Sequence, residues 1–84
     1  MSVEAALLAL ADAAAKLEED TPFAFTLQFN RHGVSIILNY GGKQIRRMVA
    51  WETVRLSRAP NTPLLDNLKL ATIKLAHETG WKLK

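Results

Sequence analysis

The sequence predicts an α+β domain in which a helix is followed by a three-stranded antiparallel β-meander, with strand order 1-2-3, and by a second helix. Three observations predict it: helical spacing of apolar residues near the start, alternation with a period of two in the middle, and helical spacing again near the end. Both helices are expected to cover the apolar face of the sheet, which makes two layers. The 84 residues are expected to form one domain, 1–84.

The first helix is predicted over residues 3–19. Its apolar residues recur every three or four positions, as on the buried side of an amphipathic helix: Val3, Leu7, Leu10, Ala14 and Leu17. Ser2 is placed to cap its first turn, and Thr21 and Pro22 interrupt the pattern. The helix therefore has both a start and a stop signal.

Three antiparallel strands are predicted over residues 23–50. Apolar and polar residues alternate along the first two, as in strands with one buried face. The turns fall at residues 31–33 and at Gly41 and Gly42, where freedom at positive φ suits a tight hairpin. One register keeps the apolar side chains on one face: it pairs Phe29 with Val34, Leu27 with Ile36, Phe25 with Leu38, Phe23 with Tyr40, Leu38 with Ile45 and Val34 with Val49. The second strand is therefore central.

This register places Arg47 opposite Ile36, on the core side of the sheet. An arginine at that position conflicts with the apolar pattern. Two explanations are open. Either Arg47 extends from an edge strand to water, which also discourages aggregation at that edge, or a bulge at Arg46 and Arg47 turns both guanidinium groups outward.

The last helix is predicted over residues 63–79, after a connector with two prolines and room for one short helical turn at 51–57. Thr62 is placed as the N-cap, Pro63 suits the first helical position, and Gly80 is a natural stop. Apolar and small residues fall on one side of this helix: Leu64, Leu65, Leu68, Ala71, Thr72, Leu75 and Ala76. Trp51 and Trp81 are expected to pack in the core and at helix ends.

The order of elements is similar to that of the double-stranded-RNA-binding domain. That family places a lysine cluster at the start of its last helix to hold phosphates, whereas this helix begins Pro63-Leu64-Leu65-Asp66-Asn67. The motif is missing, and shared element order alone carries no function. The residues therefore identify no family.

Composition excludes several functional classes. The absence of cysteine excludes disulfides, thiol catalysis and zinc sites built on thiolates, and two histidines are too few for a metal cage. No cofactor and no metal are therefore expected. With 49% hydrophobic and 23% charged residues, the chain has the composition of a globular protein.

No membrane association is expected. The longest apolar run, residues 5–11, has seven residues, whereas a membrane-spanning helix needs about 20. The start carries Glu4 instead of the basic residues of a secretory signal, and the first helix is too acidic for a mitochondrial presequence. A cytoplasmic location is therefore expected.

The sequence offers little material for catalysis. A catalytic site needs converging titratable groups, but His32 lies in a turn and His77 near the end of the last helix, with no serine or acid placed beside either by a motif. The Gly41-Gly42-Lys43 segment joins two strands and lacks the upstream glycine of a phosphate-binding loop. No enzymatic activity and no small-molecule substrate are expected.

Charge is distributed unevenly along the chain. Residues 1–30 have a net charge of −4 and residues 31–84 a net charge of +7. The segment after the third strand returns to the end of the sheet that carries the first turn. Cations there and on the neighbouring strand are expected to bind an anionic partner: Arg31, His32, Arg46, Arg47, Arg55 and Arg58. Nucleic acid, an acidic protein surface and simple solubility are all compatible with this set.

Apolar residues away from the core side of both helices indicate a second surface. Leu70 and Ile73 point away from the apolar stripe of the last helix, beside His77, and Leu8 lies off the stripe of the first helix. A domain of this size has a thin core, and association is a common remedy. These four residues are therefore expected to form an oligomer or partner interface, and the alternative is that they are scattered apolar residues of an ordinary surface.

Two functional hypotheses follow from these surfaces. The first is a small non-enzymatic interaction or adaptor domain, a homo-oligomer or a module that docks on a partner protein through its helical face and basic end. The alternative is a non-specific nucleic-acid-binding module that uses the basic end and edge of the sheet, although the open sheet face lacks the aromatic pairs that stack bases. Steep salt dependence is typical of the second. Small accessory proteins of phages or bacteria share this appearance, by association alone.

Overall fold

The computed structural model describes residues 3–59 and 61–83. The chain forms six elements in order: α1 (Val3–Asp20), β1 (Ala24–Phe29), β2 (Gly33–Tyr40), β3 (Lys43–Ala50), α2 (Trp51–Leu56) and α3 (Asn61–Thr79). The predicted α+β class and the antiparallel strand order β1-β2-β3 are confirmed. The short helical turn expected at 51–57 is the separate helix α2. The cap predicted at Ser2 lies outside the described residues.

The register of the sheet follows the alternation of the sequence. The predicted pairs between β1 and β2 and between β2 and β3 are all present within the strands, and β2 is central. Phe23 precedes β1, and its ring centroid lies 5.5 Å from that of Tyr40. The second hairpin turns through Gly41 and Gly42, which have φ angles of 59° and 78°. These are the left-handed conformations that a two-residue hairpin turn requires.

Helices α1 and α3 lie side by side on one face of the sheet. Helix α1 packs on β1, and α3 packs on both β2 and β3. The core lies between the layers and contains small residues of α1, aliphatic residues of the strands and leucines of α3: Ala6, Leu10, Ala14, Val34, Ile36, Leu38, Leu64, Leu68 and Leu75. Because α1 contributes two alanines to this set, it approaches the sheet and α3 closely.

Arg47 has a partner that neither sequence explanation includes. The ladder between β2 and β3 is continuous from Gly33 paired with Ala50 to Tyr40 paired with Lys43, so the bulge explanation is wrong. Arg47 lies on the helical side of the sheet and is half-buried. Its guanidinium group is held by a side chain of α3.

The open face of the sheet is mostly polar, but its centre is buried. Ile37 is only 2% exposed although it points away from the helices. Its neighbours on the adjacent strands are Thr26 and Arg46, and the Nη2 group of Arg46 donates to Oε1 of Gln28 at 3.2 Å. The side chains of Thr26, Arg46 and Gln28 therefore cover Ile37. No helix in residues 3–59 and 61–83 is long and apolar enough to cross a membrane.

Candidate functional site

The four residues predicted as an interface all lie on the helices with exposed side chains. Leu8 of α1 is 67% exposed, and Leu70 and Ile73 of α3 are 49% and 48% exposed. His77 follows Ile73 by one turn and is also exposed. The structure therefore brings three of these residues to one side of α3, whereas Leu8 lies on the second helix of the layer.

An apolar groove runs between α1 and α3 on the outer side of the helical layer. Its volume is about 550 Å³. Ile73 borders it, and the ammonium-bearing side chains Lys16 and Lys69 lie along it. The remaining lining residues are apolar except for one threonine: Ala13, Leu17, Leu65, Leu68, Thr72 and Leu83. Helical spacing assigns Leu17 and Leu65 to the core stripes, but both are only half-buried because they line the groove.

The segment after α3 closes one end of this groove. Gly80 has a φ of 74°, a left-handed conformation that ends the helix and turns the chain back. The ring of Trp81 then lies 6.4 Å from that of Phe23 and 6.0 Å from that of Tyr40, which forms a cluster of three rings. The cluster anchors the segment so that Leu83 reaches the groove. The predicted packing of Trp81 at a helix end is confirmed.

The exposed charges of the helical layer differ between its two helices. Helix α1 carries five exposed acids and one exposed base: Glu4, Asp12, Glu18, Glu19, Asp20 and Lys16. Helix α3 carries two exposed lysines and two exposed acids: Lys69, Lys74, Asp66 and Glu78. The layer is therefore acidic along α1 and mixed along α3, with the groove between them.

The start of α2 is hydrogen-bonded to the first hairpin. The segment after β3 thus returns to the end of the sheet that carries the first turn, as predicted. The Trp51 N–H donates to the carbonyl oxygen of His32 at 3.2 Å, and the Trp51 indole N–H donates to the carbonyl oxygen of Asn30. The Asn30 side chain accepts the His32 N–H at 2.8 Å, which shapes the turn. A Cβ atom at Gly33 would collide with the carbonyl oxygen of Val49, so only glycine fits where the turn approaches β3.

The six predicted cationic residues do not form one cluster. Arg31 and His32 are neighbours in the first turn, with Arg31 Nε 3.3 Å from His32 Nε2. Arg46 lies on the open face of the sheet, and Arg47 lies on the opposite, helical side. Arg55 follows Trp51 by four residues and therefore shares its side of α2. The sixth residue is in the connector after α2: Arg58.

The structure adds an aromatic pair that sequence reasoning missed. Phe29 is 62% exposed, although the alternation assigned it to the apolar face. Its ring lies 6.1 Å from that of Trp51 in an edge-to-face arrangement. Phe29 is the last residue of an edge strand, and this position at the end of the sheet is the sequence signal that could have predicted its exposure. The expectation that the sheet lacks an aromatic pair holds for its open face but not for this end.

A polar pocket of about 460 Å³ lies beside Phe29. It is lined by residues from all three strands and the first turn: Leu27, Gln28, Phe29, Asn30, Ser35 and Arg46. Its amide, hydroxyl and guanidinium groups lie on the open face, whereas the Phe29 ring lies on the other side of the sheet at the same end of β1.

Comparisons of the chain with protein-family models, curated proteins and solved structures found no match. Within the described part of the chain, no three His, Asp or Glu side chains group together as a metal site would require. The two surfaces that remain as candidates are the groove of the helical layer and the aromatic, basic end of the sheet.

Proposed function

We propose that the protein is a small non-enzymatic interaction domain that self-associates, and that the outer side of its helical layer binds a second copy of the chain. The observation that supports this proposal is the apolar groove between α1 and α3, bordered by Ile73 with Leu70 one turn away. Exposed apolar surface of this kind is unfavourable in water and is typical of protein interfaces. A partner protein of different sequence is the competing occupant.

The size of the domain favours one broad face as the interface. The Cα atoms extend over 35 × 21 × 16 Å, and a standard interface buries about 800 Å² on each partner. A dimer of ordinary size therefore uses most of one broad face. Of the two candidates, the open sheet face presents Thr26, Gln28 and Gln44, whereas the helical layer presents the groove. Burying the helical layer therefore removes more apolar surface from water than burying the open sheet face does, and is the more favourable of the two.

Charge complementarity supports a second copy as the occupant. A face-to-face dimer with its two-fold axis parallel to the helices sets α1 of one copy against α3 of the other. The acidic helix, which carries Asp12 and Glu19, then faces the helix that carries Lys69 and Lys74. An axis perpendicular to the helices within the interface plane sets α1 against α1, which brings like charges together. The charges therefore favour the axis parallel to the helices.

We also propose that the domain lacks enzymatic activity and acts in the cytoplasm. The two histidines lie in different parts of the fold, His32 in the first turn and His77 near the end of α3, whereas acid–base catalysis needs converging groups. The absence of cysteine supports the location.

Sedimentation velocity across protein concentration tests self-association. The wild-type chain is expected to form dimers as the concentration approaches about 100 μM, because association follows mass action. The double variant Leu70→Glu/Ile73→Glu is expected to stay monomeric and folded, since both side chains lie off the core. The control is Leu56→Glu, which changes a still more exposed leucine on α2 and is expected to dimerise like the wild type.

Two results would overturn the proposal. One is a wild-type chain that stays monomeric at about 100 μM, the upper end of the tested range. The other is a dimer that the Leu56→Glu change disrupts and the Leu70→Glu/Ile73→Glu change does not. Circular dichroism of each variant checks that the helices and sheet are retained.

A further inference from the structure

We infer that the end of the sheet at the first hairpin is a binding site for single-stranded nucleic acid, in which a base stacks on Phe29 and arginines contact the backbone phosphates. This site is independent of the proposed self-association. It uses β1, the first turn, α2 and the open sheet face, and none of the residues that line the groove.

The two aromatic rings at this end of the sheet are placed so that a base can stack on one of them. The Phe29 ring is largely exposed, yet it is supported by Trp51, whose indole N–H is held by the carbonyl oxygen of Asn30. A ring that is already positioned loses little freedom when it binds a ligand. Stacking on such rings is the usual way in which proteins hold unpaired bases.

A polar pocket lies on the open face of the sheet at the same end of β1. Gln28, Ser35 and Arg46 line it, and Phe29 follows Gln28 along the strand with its ring on the other side of the sheet. The Arg46 guanidinium group has five N–H donors, and its bond to the Gln28 side chain uses one of them. The pocket therefore offers donors and acceptors to a phosphate or base edge of a strand that passes around this end of the sheet from the Phe29 ring.

This part of the chain is strongly basic. Residues 21–59 contain six arginines and lysines and a single acid, Glu52. Arg47 is engaged on the helical side, but Arg31 lies in the turn next to Phe29, and Arg55 shares the side of α2 that carries Trp51. The site is therefore electrostatically complementary to a polyanion.

The rings favour a single strand over a duplex and over an acidic peptide. Bases inside a duplex have no free face to stack on a side chain. Helix α1 is acidic and α2 has only six residues, so neither is suited to a DNA groove. An acidic peptide would use the arginines and leave Phe29 without a role. Loss of binding on removal of the Phe29 ring therefore distinguishes a nucleic acid from a peptide.

Fluorescence anisotropy with a labelled oligothymidylate of about 12 nucleotides, at low and at physiological salt, tests the site. Binding is expected at low salt, with a dissociation constant no tighter than roughly micromolar at physiological salt. Phe29→Ala is expected to weaken binding by roughly 5- to 100-fold, the usual effect of removing one stacking side chain. The matched control is Leu70→Ala, an exposed apolar residue of the other layer, which is expected to leave binding unchanged.

The phosphate contacts are tested by salt dependence. Arg31→Ala and Arg46→Ala are each expected to reduce the slope of log affinity against log salt by about one unit. Lys74→Ala on α3 is the matched control and is expected to leave the slope unchanged. In a Trp81→Phe background, Trp51 is the only tryptophan, so a change in its fluorescence on binding reports contact at this end.

Several results would overturn the inference. The first is an absence of oligonucleotide binding at low salt with about 50 μM protein. The second is an affinity for duplex DNA equal to that for the single strand. The third is a Phe29→Ala variant that binds the oligonucleotide as tightly as the wild type. If a polyglutamate peptide competes as well as the oligonucleotide, and if Phe29→Ala leaves the affinity for the peptide unchanged, the site is assigned to acidic proteins instead. The Leu70→Glu/Ile73→Glu variant is expected to bind the oligonucleotide per chain as the wild type does, so failure of self-association and failure of this site are separable.

Discussion

The Nε–H group of Arg47 on β3 donates a hydrogen bond of 2.7 Å to the side-chain oxygen of Asn67 on α3. The side-chain nitrogen of Asn67 in turn donates to the carbonyl oxygen of Pro63 at 2.7 Å. The amide thus joins the edge strand to the first turns of the last helix. The bond also satisfies an arginine on the helical side of the sheet, where a half-buried charge without a partner would be costly.

Replacing Asn67 with alanine is expected to destabilise the domain. The change removes the oxygen that accepts the Arg47 hydrogen bond. Loss of a hydrogen bond to a charged group typically lowers the free energy of unfolding by about 1.5–3 kcal/mol. Urea unfolding measures the loss. The control is Lys74→Ala, which changes an exposed lysine of the same helix and is expected to change stability by about 0.5 kcal/mol or less. If the two variants are equally stable, the Arg47–Asn67 bond contributes nothing.

Truncating Leu38 to alanine tests the sheet register. Leu38 is fully buried on the central strand, and a buried leucine truncated to alanine typically costs about 2–5 kcal/mol. Leu70→Ala, measured at a concentration where the chain is monomeric, is expected to cost about 0.5 kcal/mol or less. Chemical denaturation of both variants under the same conditions gives the comparison, and equal losses would contradict the assignment of these two leucines to core and surface.

Replacing Trp81 with alanine is expected to affect stability and self-association together. The change removes the ring that packs on Phe23 and Tyr40 and frees the segment that carries Leu83 to the groove. A loss of roughly 1–3 kcal/mol is expected, because the ring is partly exposed. Leu83→Ala is the matched variant and is expected to weaken the dimer with little change in unfolding. Thermal melts and sedimentation together separate the two effects.

Salt is expected to weaken the proposed dimer. With the two-fold axis parallel to the helices, the interface pairs unlike charges, and screening reduces their attraction. Inverting Lys69 and Lys74 to glutamate is expected to weaken the dimer by several-fold, since surface pairs each contribute about 0.2–1 kcal/mol. Adding Asp12→Lys and Glu19→Lys in the same chain is expected to restore it. A dimer that strengthens with salt in sedimentation equilibrium would instead indicate that like helices face each other.

The sequence predicted the sheet more completely than the surfaces. Alternation assigns each residue to a face, and only one register keeps Leu27, Ile36 and Leu38 on the same face, so strand order and pairing follow from local pattern. The partner of Arg47 could not be predicted in this way, because Asn67 lies twenty residues further along the chain on another element. A face assignment does not say which side chain lies across the interface between layers.

The candidate sites show the same limit. Helical spacing placed Leu70 and Ile73 outside the core, and both are exposed. The groove itself depends on the distance between α1 and α3, which no single helix encodes, and on Leu83, which reaches it through the packing of Trp81. Phe29 was assigned to the buried face because the alternation does not show where the covering helices end.

Strand β2 has a hydrogen-bonded neighbour along both of its edges, from Gly33 to Tyr40. An amide in this strand therefore meets deuterated solvent only after one of the two hairpins has parted, and parting either hairpin opens the core. Helix α2 has six residues and lies outside the sheet, and its last residues, Arg55 and Leu56, are exposed, so we expect that end to open locally. Hydrogen exchange at Ile36 and Leu38 thus measures the free energy of opening the whole domain. Exchange along α2 measures only a local opening, so one experiment yields both quantities without denaturant.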